Sequence, residues 1–301
     1  MLTLMLNEIR LGLRQPLYWI LTVVAVLFGY FVGCGIHTSQ AELFTQAHLQ
    51  HLVGALCMMA LPWATGLLAV FSLYRADSYK MRELVLSASV SQTRQQMVQV
   101  AGLTCLTILL GIVAATGLLA GLLSSANQLP EYQVILSVAL NLQGLQLLIG
   151  LPASLLFVAF FWWLHSLNSS PVLTYLATFL WFVSYTLLAT ASGSPLMAGA
   201  QTPAPWLVST MNYLDWFGLT PLMAKQPDLA LVMLNRLLII LAATLLAYCA
   251  VRLKNRSDNT KKPAWALPLK RQDSNTTTFH FIPAQPGAWH QLYALTRLQA
   301  G

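Results

Sequence analysis

The sequence predicts an all-α, polytopic membrane protein with six transmembrane helices, and three observations carry that reading. Only 8% of the 301 residues are charged and 57% are hydrophobic, whereas a soluble domain carries about 25% charged residues. Six apolar stretches, at 17–36, 52–73, 98–123, 134–164, 171–191 and 229–251, reach the ~20 residues that one helix needs to cross a bilayer. Basic residues fall almost entirely on one side of those stretches. Alternating ten-residue strands, the mark of a membrane β-barrel, are missing from the pattern.

Charge sets the expected orientation. Arg10 and Arg14 precede the first stretch. Arg75, Lys80, Arg82 and Arg94 lie between the second and third, and eight basic residues from Arg252 to Arg297 follow the sixth. The opposite loops, 37–51, 124–133 and 192–228, hold a single basic residue, Lys225. Basic residues stay on the cytoplasmic side of a membrane, so both termini are expected in the cytoplasm. The net charge of +7 then reads as a topology signal and as contact with anionic lipid. No basic-aromatic module points to nucleic acid.

Residues 2–16 open the chain with Leu2, Leu6, Ile9 and Leu13 at helical spacing and Arg10 and Arg14 elsewhere on the wheel. This predicts a short amphipathic helix in the membrane interface, joined at an elbow to the first span by Pro16; the alternative is a flexible N-terminus. The first two spans flank the 37–51 loop. Spans 1 and 3 carry small-xxx-small pairs, Gly29/Gly33 and Gly117/Gly121, which permit close helix packing. Between spans 2 and 3, residues 74–97 run from a charged turn through an apolar stretch to a Ser/Ala/Thr patch. This segment either lies on the membrane surface or docks to a soluble partner.

Span 4 is over-long and holds Asn141, Gln143 and Gln146 before Pro152, a residue that kinks helices. Its amides either hydrogen-bond to neighbouring helices or line a polar path. The 192–228 loop carries Trp206, Trp216 and Phe217, which predicts a re-entrant or interfacial hairpin with aromatics at headgroup level. Arg236 falls about 10 Å into span 6. It is either a snorkelled or paired structural arginine, or a gate or anchor for an anionic headgroup. Asp215, Asp228 and Glu131 are its candidate partners. Residues 1–253 thus form the six-span domain, 254–286 a cytoplasmic linker and 287–301 an amphipathic segment. That last segment is either a terminal surface helix or the lead-in to a second transmembrane half of a longer chain.

Chemistry is sparse. No Gly-x-x-x-x-Gly-Lys-Ser/Thr loop is present to cradle ATP phosphates, and no His-Glu-x-x-His zinc motif occurs. The six histidines are dispersed. His37, His48 and His51 are neighbours in the chain but lack a supporting carboxylate pattern. The four cysteines, Cys34, Cys57, Cys105 and Cys249, read as small apolar packing residues without disulfide or metal spacing. Catalytic, cofactor-binding and metal-binding residues are therefore not expected in this chain.

Three features resemble the ABC-2 type permease family, the membrane subunits of a class of ABC transporters. The amphipathic lead-in ending at Pro16 resembles that family's elbow helix. The run 83–91, Glu-Leu-Val-Leu-Ser-Ala-Ser-Val-Ser, is similar to a cytoplasmic stretch of the family, with Ser89 where proline is common and Gln92 where arginine is common. The run 213–218, Tyr-Leu-Asp-Trp-Phe-Gly, and the run 234–238, Leu-Asn-Arg-Leu-Leu, resemble a pair found in large permeases. Some of these contain two six-helix halves and a fused aminopeptidase-like region; Trp216 here replaces the usual proline.

The resemblance implies an exporter unit that pairs with a second six-span unit in a bacterial inner membrane. A separate ABC ATPase would hold ATP-Mg and dock on the 74–97 segment through Arg82, Glu83 and Arg94. On the functional reading of the residues themselves, Asn141, Gln143 and Gln146 would line the path and Arg236 would gate it. The competing expectation is a non-transporting membrane anchor or assembly scaffold whose external hairpin recruits a partner. A secondary transporter is disfavoured because spans 1–3 and 4–6 show no clear inverted repeat.

Overall fold

Proline and capping residues mark the helix starts in a computed structural model that describes residues 2–35, 44–75, 92–126, 131–168, 170–192, 203–222 and 228–260. α1 spans Leu2–Leu13 and α2 begins at Pro16 and runs Pro16–Gly35. Pro171 opens α6 (Pro171–Ala191) and Pro205 opens α7 (Pro205–Leu214). Proline suits the first helical position because its missing N–H would be unbonded there anyway. Thr45 caps α3 (Gln46–Leu73) by accepting the His48 amide at 3.4 Å. Asp228 precedes α9 (Leu229–Thr260) and accepts the Ala230 amide at 2.9 Å.

α4 spans Gln92–Ser125, α5 Tyr132–Leu167 and the short α8 Leu219–Leu222. Every element of the described residues is helical. Six helices (α2, α3, α4, α5, α6 and α9) are long and apolar enough to cross a membrane. Several exceed the apolar windows of the sequence. α3 takes in His48 and His51, and α4 takes in its polar start from Gln92. α9 continues beyond 251 to Thr260, so the first residues assigned to the 254–286 linker are helical. Arg252 supports this extension, donating to the Tyr248 hydroxyl at 2.8 Å one turn earlier. The expected linker from 261 on and the 287–301 segment lie outside the described residues.

Burial separates central from peripheral helices. In the most apolar window of each helix, 67% of α5 and 56% of α3 and α4 are buried, against 22% for α2 and α6 and 28% for α9. α5 is one helix of 36 residues, ~54 Å long at 1.5 Å per residue, and Pro152 lies within it without ending it. α2 and α6 instead expose large apolar side chains, Ile20, Val23 and Phe31 on one and Val172, Leu180 and Leu187 on the other. Apolar faces of that size suit lipid or another protein surface better than water.

α2 meets α4 backbone to backbone. A Cβ on Gly33 would stand 2.6 Å from the Leu118 carbonyl oxygen, and one on Gly121 would lie 3.1 Å from the Gly33 Cα. A Cβ on Gly29 would be 3.0 Å from the Leu118 nitrogen and one on Gly117 3.0 Å from the Val26 carbonyl carbon. Larger residues at these four positions would force the helices apart.

α1 packs against α4, its buried side carrying Ile9, Gly12 and Leu13 while Leu6 and Leu11 face outward. The Leu2, Leu6, Ile9 and Leu13 stripe is therefore split, because the α4 groove selects the side of α1 where Gly12 lets Leu106 approach. Trp19 of α2 donates its indole N–H to the Leu13 carbonyl at 2.8 Å, satisfying an acceptor that the end of α1 leaves open.

Candidate functional site: a buried polar cluster in the hairpin

Between α6 and α9, residues 203–222 fold as a helical hairpin that reaches back into the bundle. α7 stops at Asp215, whose amide donates to Met211 at 3.0 Å. The chain then turns through Trp216 and Phe217 to Gly218, whose amide returns to the Asp215 carbonyl at 3.0 Å. Gly218 has φ +65°, a conformation that costs other residues about 1–2 kcal/mol. A Cβ there would also collide with the Arg236 guanidinium. Glycine is thus required at this corner for two separate reasons.

Asp215 is fully buried, yet its carboxylate is well satisfied. Oδ1 accepts the Phe217 amide at 3.0 Å and the Tyr185 hydroxyl at 3.1 Å. Oδ2 accepts the Thr220 amide at 2.7 Å and the Thr220 hydroxyl at 2.8 Å. These bonds tie the carboxylate to α6 and to the start of α8. A buried charge is tolerable only with such compensation.

Arg236 approaches from α9. Its Nη2 donates to the Asp215 backbone carbonyl at 2.9 Å and its Nη1 to the Trp216 carbonyl at 3.5 Å. Nε donates to Asn235 Oδ1 at 3.0 Å, and Nη2 contacts the same oxygen. Asn235 in turn donates to the Asn212 carbonyl at 3.4 Å. A guanidinium offers five N–H donors in a planar fork, which lets one side chain hold several carbonyls at the end of α7. Among the described residues Arg236 has no carboxylate ion-pair partner. The carboxylates expected as its partners are used elsewhere or stand apart. Asp215 contributes its peptide oxygen, Asp228 caps α9, and Glu131 sits at the start of α5.

Aromatic rings anchor the same turn. Trp216 lies 4.6 Å from Trp181 and Phe217 lies 4.8 Å from Tyr185, between ring centroids. Of the aromatics expected at headgroup level, Trp206 is 70% exposed while Phe217 is 1% exposed. The turn inserts its tip between α5, α6 and α9, where Phe217 packs, while Trp206 of α7 faces outward. Arg236 is about 10 Å from the start of α9 and Tyr185 about 9 Å from the end of α6 at 1.5 Å per residue. The hairpin tip therefore lies well inside both helix ends.

The remaining candidate residues do not converge on this cluster. Gln143 bridges helices, donating to the Ile112 carbonyl of α4 at 3.4 Å. Gln146 is buried, accepts the Cys57 thiol at 3.3 Å and borders a cavity between α2, α3, α4 and α5. Asn141 is exposed. The four residues expected to line one path thus occupy separate surroundings, because Asn141, Gln143 and Gln146 point to different sides of α5. Arg94 is exposed near the start of α4, while Arg82 and Glu83 lie outside the described residues.

The other end of the bundle has its own polar contacts. Arg75, just past α3, forms an ion pair with Glu8 of α1 at 2.7 Å. Tyr74 shares a 2.7 Å hydrogen bond with Thr174 of α6 and packs edge-on against His165 of α5 at 4.4 Å. Gly102 makes room for this arrangement, since a Cβ there would stand 3.0 Å from the Glu8 Cβ. Glu8, Tyr74, Tyr185 and Thr220 carry no motif that would single them out in the sequence. Groups of three or more His, Cys, Asp or Glu able to hold a metal are absent among the described residues. Comparison with protein-family models, with curated proteins and with solved structures finds no match in any of the three.

Proposed function

We propose that the chain is the membrane-spanning permease unit of an ABC exporter, driven by a separate ATPase that docks on the 74–97 segment. The observation that carries this reading is the bonding of the Tyr74–Arg75 junction. It is joined to α1 through Glu8, to α6 through Thr174 and to α5 through His165. A push on the segment that leaves this junction would act on three helices together. The order of elements also supports the reading: an amphipathic lead-in, six apolar helices, and a hairpin between the fifth and sixth.

In this proposal α1 is an elbow helix in the cytoplasmic interface, and both termini are cytoplasmic in a bacterial inner membrane. ATP-Mg binds the partner ATPase, and a second six-span unit completes the assembly. ATP-driven movement of the ATPase shifts the 74–97 segment and, through it, α1, α5 and α6. Arg82, Glu83 and Arg94 make the docking contacts.

The test is to reconstitute the chain with a P-loop ATPase encoded beside its gene and to measure ATP turnover. Assembly raises turnover, and the Glu83→Lys, Arg94→Glu double variant inserts normally but loses that rise. Unchanged stimulation by the double variant would sink the docking assignment. A lack of co-purification would favour the anchor or scaffold reading.

A further inference from the structure

A cavity of about 280 Å³ lies between α2, α3, α4 and α5. Its wall is apolar apart from Cys57, Thr107 and Gln146. Thr107 is already committed, donating to the Leu103 carbonyl at 2.9 Å. Gln146 is 5% exposed and uses its Oε1 to accept the Cys57 thiol at 3.3 Å. Among the described residues its Nε2 meets no hydrogen-bond acceptor, and it lies against Gly111, itself part of the cavity wall. An amide donor that opens onto an otherwise apolar wall favours an occupant that brings an acceptor.

The cavity opens toward the lipid-facing side of the bundle. Val24, Met59 and Trp63 all border it and are 55%, 43% and 39% exposed. An apolar cavity of about 150 Å³ stays dry and takes up benzene; this one is nearly twice as large. We infer that it binds an apolar chain carrying one carbonyl acceptor, entering from the bilayer, with the carbonyl oxygen on Gln146 Nε2 and the chain along α3 and α4. An ester-linked acyl chain has this chemistry, whether it belongs to a membrane lipid or to a free ester dissolved in the bilayer. The inference goes beyond the ATPase-driven reading and does not need it, because binding is its only requirement.

The experiment uses the purified full chain in phospholipid vesicles. The probe is a diazirine-bearing analogue of methyl decanoate, and the control is a diazirine alkane of equal length without the carbonyl. Mass spectrometry of the photolabelled peptides gives the readout. Ester label is expected to saturate and to concentrate on the cavity-facing parts of α3 and α4. Gln146→Leu lowers ester labelling about tenfold and leaves alkane labelling unchanged. Ala60→Phe, which fills the cavity from α3, removes both.

Competition on the unsubstituted chain covers the case in which either variant misfolds. Unlabelled methyl decanoate or a short-chain phospholipid displaces the label, and the stronger competitor identifies the source of the acyl ester. Displacement by neither overturns the inference. Unsaturable label spread over the exposed faces of α2 and α6, or equal ester labelling of Gln146→Leu, overturns it as well.

Discussion

The hairpin and the α1 junction both hold their elements with charged side chains, but they do so in opposite ways. Asp215 and Arg236 are themselves buried, and their bonds run mainly to backbone groups or to side chains fixed by packing. At the α1 junction, Glu8 and Arg75 form one ion pair whose side chains are 16% and 23% exposed. Buried networks are costly to break because each released group stays away from water. Partly exposed pairs are cheap to open because water replaces the partner. The difference teaches which end can move: the hairpin is built as a lock and the junction as a latch.

Substitutions at the two ends separate these roles, and the largest effect belongs to the lock. Arg236→Met leaves the Asp215 and Trp216 carbonyls without their donors and is expected to cost about 3 kcal/mol. Thermal unfolding in detergent reads this as a clear fall in midpoint, and an unchanged midpoint would break the comparison. Gly218→Ala follows at about 2 kcal/mol, through its positive φ and the crowding of the Arg236 guanidinium. In the Arg236→Met background, a Gly218→Ala penalty that falls well below its wild-type value would show crowding to dominate; an undiminished penalty would show the backbone to dominate. Glu8→Gln at the latch is the smallest, at under about 1 kcal/mol. Salt lowers that cost only modestly, because a partly buried pair is screened less than an exposed one; a loss as large as that of Arg236→Met would erase the distinction.

The sequence makes the six spans legible because each is a continuous apolar run, and composition alone signals such runs. The ends of the helices are less legible. His48, His51 and Gln92 fall outside an apolar window, yet α3 and α4 include them, because capping by Thr45 and packing on neighbours extend a helix past its greasy centre. The spacing of Gly29, Gly33, Gly117 and Gly121 is readable, whereas their facing one another is not, since nothing local says which helix lies beside which.

Arg236 stands out as a charge in an apolar run, but its partners do not. A carbonyl belongs to every residue, so an arginine that binds backbone leaves no complementary residue in the sequence. The Glu8–Arg75 pair is hidden by its separation of 67 positions. Gln146 was visible as an amide, while its contact with Cys57 was not, because a buried cysteine reads as one more small apolar residue.

Hydrogen–deuterium exchange on the chain assembled with the ATPase of the proposal, with and without nucleotide, tests the lock-and-latch account most directly. Amides of α7, α8 and the intervening turn should exchange slowly in both states. Amides of α1 and of the end of α3 should change their protection when nucleotide is added. Nucleotide-dependent exchange in the hairpin, with α1 and the end of α3 unchanged, would contradict the account.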